Sequence, residues 1–104
     1  DLVFDVRFMP NPYYIQELRE KTGLDREVAD YVFSFRQTHD YMDKLRDLLA
    51  FTLPLYAEEG KTELVIAVGC TGGHHRSVAV AHRLADYIAR AGYQVTENHR
   101  DISR

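Results

Sequence analysis

The stretch Gly69-Cys70-Thr71-Gly72-Gly73-His74-His75-Arg76-Ser77 constrains this chain more than any other. Before it runs Leu64-Val65-Ile66-Ala67-Val68, an apolar segment with the character of a buried strand. After it, from Val78 to Ala91, the residues Val80, Ala81, Leu84, Ala85 and Ile88 recur at helical spacing. Strand, glycine turn and helix N-terminus in succession make a concave set of backbone N–H donors, suited to phosphate, sulfate or carboxylate. His74, His75 and Arg76 then put potential cations where the helix dipole is already positive, at a cost of roughly 0.3 kcal/mol or more each unless an anion meets them. A local rule broken without visible compensation marks a functional site.

The charge distribution agrees with a local anion site. The 104 residues carry a net charge of −3, which argues against a strongly basic nucleic-acid binder. Residues 1–69 hold eight Lys/Arg against thirteen Asp/Glu, or −5, whereas residues 70–104 hold five against three, or +2, with four of the five histidines. Positive potential therefore gathers around the glycine turn and the C-terminal tail. The length fits one domain, and no apolar run approaches the ~20 residues that span a bilayer, so no membrane partner is expected. No signal peptide is visible, and the single cysteine, Cys70, excludes an internal disulfide; a reducing cytoplasm is the expected compartment. The opening Asp1-Leu2-Val3-Phe4-Asp5-Val6 reads as a strand already under way, the expected start of a domain excised from a longer protein.

Along the chain, Leu2 to Phe8 is expected to be a strand. Asn11-Pro12 is an N-cap followed by proline at the first helical position, opening a short helix over Tyr13 to Lys21 that stops at Gly23 in a left-handed conformation. Asp25 is expected to cap a second helix with Val28, Ala29, Val32 and Phe33 on one face. A third helix spans about Thr38 to Thr52, with Met42, Leu45, Leu48 and Leu49 inward and Pro54 ending or kinking it. A second strand covers Glu63 to Val68, the last helix closes at Gly92, and Tyr93 to Asn98 offers a third strand with Val95 in the core. The order β-ααα-β-α-β gives an α/β fold, a small mainly parallel sheet flanked by helices. Ligands in such sheets lie beyond the carboxyl ends of the strands. If the first two strands are neighbours, Asp5, Arg7 and Asn11 share a crevice with the glycine turn. The scattered histidines lack paired ligand spacing, so no metal site is expected.

Two chemistries fit the turn. Cys70, five intervening residues, Arg76 and Ser77 spell the Cys-x5-Arg-Ser pattern of cysteine-dependent phosphatases. There a thiolate at a helix N-terminus attacks, a bidentate arginine holds the phosphoryl oxygens, and the serine assists departure of the thiol. Asp5 is the candidate general acid. The plainer reading of Cys70 is a small, inert, buried residue, with the glycines and Arg76 forming a binding site. His74 or His75 alone is more simply a surface residue, Tyr13, Tyr14 and Tyr31 are half-buried helix residues, and Asp5 and Arg7 pair with one another. A third class, a purely structural oligomerisation domain, predicts no small-ligand response.

Asp1-Leu-Val-Phe-Asp-Val-Arg-Phe8, Pro10-Asn11-Pro12, Thr22-Gly23-Leu24-Asp25 and the turn from Gly69 to Gly73 with His75-Arg76-Ser77 together resemble the C-terminal domain of the RapZ/YvcJ family, in the same order over essentially the whole chain. The resemblance implies a fold similar to a phosphofructokinase subdomain and a non-catalytic domain without a cofactor of its own. It also implies a bacterial cytoplasmic protein whose N-terminal P-loop domain binds ATP or GTP and holds any weak NTPase activity; no Walker A motif occurs in this chain. The ligand implied is a phosphorylated amino sugar such as glucosamine-6-phosphate, or UDP-N-acetylglucosamine, in keeping with amino-sugar metabolism. Thr71, Gly72, Gly73, His74, His75, Arg76 and Ser77 would hold it, with Asn11 and Tyr13 at the border of the crevice. Small regulatory RNA is the second implied partner, met by Arg7, His74, His75, Arg76 and Arg100; contact with the chain's own P-loop domain and a homo-oligomer are also expected. The enterobacterial, sugar-sensing relative has His where Tyr13 stands, Lys where His74 stands, and a more basic tail than residues 99–104. These differences bear on the identity of the sugar and weaken the RNA case, because Lys and Arg supply most nonspecific nucleic-acid affinity.

Overall fold

The structure is a computed structural model that describes residues 1–102. Strand β1 (Leu2–Asp5) is followed by a single 3-10 turn (Pro12–Tyr14), helix α1 (Arg26–Val32), helix α2 (Arg36–Glu58), strand β2 (Ile66–Gly69) and helix α3 (Arg76–Arg90). The two strands pair in parallel, Leu2 opposite Ile66 and Asp5 opposite Gly69, so their carboxyl ends finish side by side. The fold is α/β, and the conditional neighbour relation on which a shared crevice depends is met.

Only one sheet face is covered. Leu2, Phe4, Ile66 and Val68 pack on a core of Leu45, Leu49, Leu53, Leu84 and Ile88 from α2 and α3, while Val3, Val65 and Ala67 on the other face are exposed. A second core lies beneath the strand ends and joins Val6, Met9 and Leu18 to Val28, Val32 and Phe33, Met42, and Ala79 and Val80. The chain leaving β1 and the start of α3 therefore rest on the same packed floor.

Several local expectations are corrected. The first helix is only the one turn that Asn11 caps through its side-chain oxygen, which accepts from the Tyr13 N–H; residues 15–22 follow as turns. Gly23 has no positive φ: a Cβ there would collide with the His75 carbonyl and the Ala79 amide nitrogen, so glycine is required by close approach to the start of α3. Asp25 stands at the N-cap of α1, but its carboxylate accepts from the Thr22 N–H and not from the helix. Helix α2 runs past Pro54, because its buried face continues to Leu53 against α3 and the missing N–H costs less than that packing. Leu48 is 46% exposed, because the inward stripe of α2 is taken by Leu45, Leu49 and Leu53 and Leu48 lies to one side of it.

The third strand is absent among the described residues. Segment 93–98 has one apolar residue beyond Tyr93, Val95, which is exposed, and no strand edge pairs with it. Gly92, at φ +103, turns the chain out of α3, as expected of a helix stop. The tail then returns along that helix: Glu97 Oε2 accepts from His82 Nδ1 (2.8 Å) and His99 Nε2 (2.5 Å), and Asp101 arrives at Gly73.

Candidate functional site

Gly72 and Gly73 have φ of +84 and +73, conformations that a side chain would strain, and they turn the chain sharply from β2 into α3. His75 is the N-cap of α3 but makes no side-chain cap hydrogen bond, and the first turn of the helix contains no acid. Among the described residues, no backbone carbonyl accepts from the N–H groups of Thr71, Gly72, Gly73 or His74. The turn thus presents a run of donors at the positive end of a 15-residue helix.

Arg76 sits at the first position of that helix and is only 4% exposed. Its Nη1 donates to the carbonyls of Arg7 and of Met9, the latter at 3.0 Å, which clamps the segment leaving β1 onto α3. Its buried Nε has no hydrogen-bond partner, and among the described residues no carboxylate lies within ion-pair distance of the guanidinium. A buried cation that meets carbonyl dipoles directly, with the Asp5 carboxylate beyond ion-pair distance, is costly, and an incoming anion lowers that cost. His75, also buried, donates from Nε2 to the Arg19 carbonyl at 3.2 Å, and the His74 carbonyl accepts from the Gly23 N–H at 2.8 Å. Segments 7–9, 19 and 23 are all tied to residues 74–76 in this way.

The sequence-derived candidates divide on this frame. Thr71 and Gly72 lie open at the turn, Gly73 and His74 are half-buried beside them, and Ser77 is buried in the first turn of α3. Asn11 uses its side-chain oxygen as the cap of Tyr13. Tyr13 is exposed, with the Arg19 guanidinium 4.9 Å above its ring. Arg7 is exposed and pairs with Asp5 at 2.7 Å, as the simpler reading of these two residues has it. Arg100 is exposed on the tail and donates to Asp101 at 3.2 and 3.3 Å. Three residues near the turn carried no sequence signal of their role: Gly23, Arg19 and Asp101. Each acts through a partner at least 28 residues away.

The phosphatase geometry is half present. The Cys70 thiol lies 3.2 Å from Ser77 Oγ, and the Ser77 N–H donates to its sulfur at 3.3 Å. The guanidinium that should cradle the phosphoryl group is turned instead to the Arg7 and Met9 carbonyls. Asp5 is held below its ordinary carboxyl pKa by the Arg7 backbone N–H first of all; desolvation opposes this, and the charge and side-chain hydrogen bond of Arg7 and the more distant Arg76 charge lower it further. A carboxyl kept ionised has no proton to give a leaving alkoxide.

Comparison with known proteins gives the chain a family. The family description "RapZ C-terminal domain" matches residues 1–103. The chain belongs to that family. The RapZ-type domain is 60% identical over its whole length to a nucleotide-binding protein of Geobacillus thermodenitrificans, covering 35% of that protein. It is 59% identical over 97% of its length to a nucleotide-binding protein of Staphylococcus epidermidis and 52% identical over 99% to one of Clostridium novyi, covering 34% and 35% of them. The chain therefore spans about a third of the length of these relatives. No helix among the described residues is long and apolar enough to cross a membrane, and no group of three or more His, Cys, Asp or Glu side chains among them is placed to hold a metal ion.

Proposed function

We propose that this RapZ C-terminal domain is a non-catalytic sensor that holds a phosphorylated amino sugar, or the related UDP-N-acetylglucosamine, on the turn at residues 71–76. The observation that carries the reading is the buried Arg76 cation, its Nε unpartnered, at a helix start with no side-chain cap and with open N–H donors before it. The phosphate oxygens accept from the amides of Gly72, Gly73 and His74, with the His74 imidazole and the Thr71 hydroxyl as side-chain donors. Asn11 and Tyr13 flank the sugar. Arg76 acts chiefly as a fixed positive charge beneath the turn.

Occupancy of the turn then changes what the domain meets: its own P-loop domain with ATP or GTP, a second copy of the chain, or a regulatory RNA that touches Arg7, His74 and Arg100, the buried His75 being left out of that contact. The names of the relatives support a nucleotide site in the protein as a whole. RNA contact through these cations has affinity that falls steeply with salt, and salt-insensitive binding would be the wrong behaviour for it.

The test is thermal unfolding of the full-length protein in excess ADP, against inorganic phosphate, glucosamine-6-phosphate and UDP-N-acetylglucosamine. A ligand at a hundred times its Kd stabilises by about 2.7 kcal/mol. His74→Ala keeps the fold and is expected to weaken sugar-phosphate binding about tenfold, the loss of one charge-assisted hydrogen bond. Equal affinity in that variant, or no shift with any of the three anions, contradicts the proposal.

A further inference from the structure

The C-terminal return of the chain ends on the glycine turn. A Cβ placed on Gly73 would lie 3.0 Å from Asp101 Cβ and 3.4 Å from its Oδ2. The Asp101 side chain is 23% exposed, so this carboxylate is packed against the turn and not waving in solvent. Arg100, whose side chain is 86% exposed, reaches the same carboxylate at 3.2 Å. The segment leading to it, 93–98, is exposed and takes no part in the sheet; its described anchor is Glu97, which bridges His82 of α3 and His99 of the tail. A carboxylate has the charge and acceptor geometry that a helix N-terminus selects.

We propose that residues 93–101 form an autoinhibitory strap, in which the Asp101 carboxylate covers the glycine turn and competes with the anionic ligand for it. The inference rests on the anion-site reading above. A ligand phosphate carries more charge and more acceptor oxygens than one carboxylate, so it displaces Asp101 and frees the strap. The strap is suited to this because it is tethered at Glu97 and unsupported by ladder hydrogen bonds, and such segments open at low cost. Binding at the turn is thereby converted into movement of a segment some ten residues long, visible to whatever docks beside α3.

The experiment is calorimetric titration of inorganic phosphate and glucosamine-6-phosphate into the full-length protein in excess ADP, which fills any nucleotide site. The variants are Asp101→Ala and Asp101→Asn. Asp86→Asn is the control for bulk charge, since it removes one negative charge about 15 Å along α3, beyond the Debye length at physiological salt. Both Asp101 variants are expected to bind about fivefold more tightly than the wild type, with Asp86→Asn unchanged. Binding by the Asp101 variants alone supports the strap equally. Wild-type binding that is unchanged or weakened in both Asp101 variants, or tightened as much by Asp86→Asn, overturns the strap and leaves the anion site standing. No binding by any of the four proteins overturns the anion site and the strap together.

Discussion

Arg76 shows how one side chain serves two scales. Its position one residue before a serine and six after a cysteine has the look of a phosphate fork, yet Nη1 is spent on the carbonyls of Arg7 and Met9. Those carbonyls belong to the chain leaving β1, so the residue that charges the site also closes the fold around it. Arg76→Ala is expected to lower the unfolding free energy by about 1–3 kcal/mol in urea denaturation, because carbonyl acceptors next to the core lose a charged donor. A variant as stable as the wild type would mean that the clamp contributes nothing. At Gly23 the constraint is steric. Gly23→Ala forces a methyl into the His75 carbonyl and the Ala79 amide and is expected to cost at least about 1–3 kcal/mol in the same measurement. Its conformational role was misjudged from sequence because a helix stop is a local pattern, whereas the partner that excludes a side chain lies more than 50 residues on.

At the scale of elements, periodicity carried most of the information. Val28 and Val32, Met42, Leu45 and Leu49, and Leu84 and Ile88 are core residues as their spacing demands. The end of α2 was not legible, since the local penalty of Pro54 is visible in sequence and the compensating contact of Leu53 with α3 is not. Pro54→Ala restores the backbone donor and is expected to stabilise the protein by about 1–2 kcal/mol, part of the helix-interior proline penalty being offset by greater freedom of the unfolded chain. Unfolding at lower urea would show that the helix depends on the proline. The missing third strand has the same origin: among the described residues both outer edges of the two-stranded sheet are free, yet the Glu97–His82 contact, not readable locally, holds the tail along α3 instead. Its anchor is pH-sensitive. Burial tends to raise the Glu97 pKa, but the hydrogen bonds and charges of His82 and His99 outweigh it and leave it lowered. The anchor therefore contributes stability above the ordinary glutamate value of 4.5 and loses it as pH falls through the lowered folded value. Hydrogen exchange of residues 93–101 is expected to quicken, relative to the rest of the chain, on acidification through that range. In Glu97→Gln it should already be fast at neutral pH, and slow exchange there would contradict the role given to this anchor.

Across the whole molecule, the parallel pairing of β1 and β2 brings the two strand ends together, and the Arg76 clamp, the His75–Arg19 link and the Gly23 contact draw residues 7–23 around the turn. The glycine turn itself was legible because its chemistry is contiguous in sequence. The floor beneath it and the tail above it were not, because both are made by distant parts of the chain. The open sheet face at Val3, Val65 and Ala67 is unusual for parallel strands, which are ordinarily covered on both sides. The central claim is that the amides of the turn are the anion's ligands. It is tested most directly by amide hydrogen exchange of the full-length protein in excess ADP, with and without saturating glucosamine-6-phosphate. Exchange at residues 71–76 is predicted to slow on addition of the sugar phosphate, while 93–101 speeds up as the tail is displaced. A bound ligand that leaves exchange at 71–76 unchanged would place the site elsewhere and contradict the account.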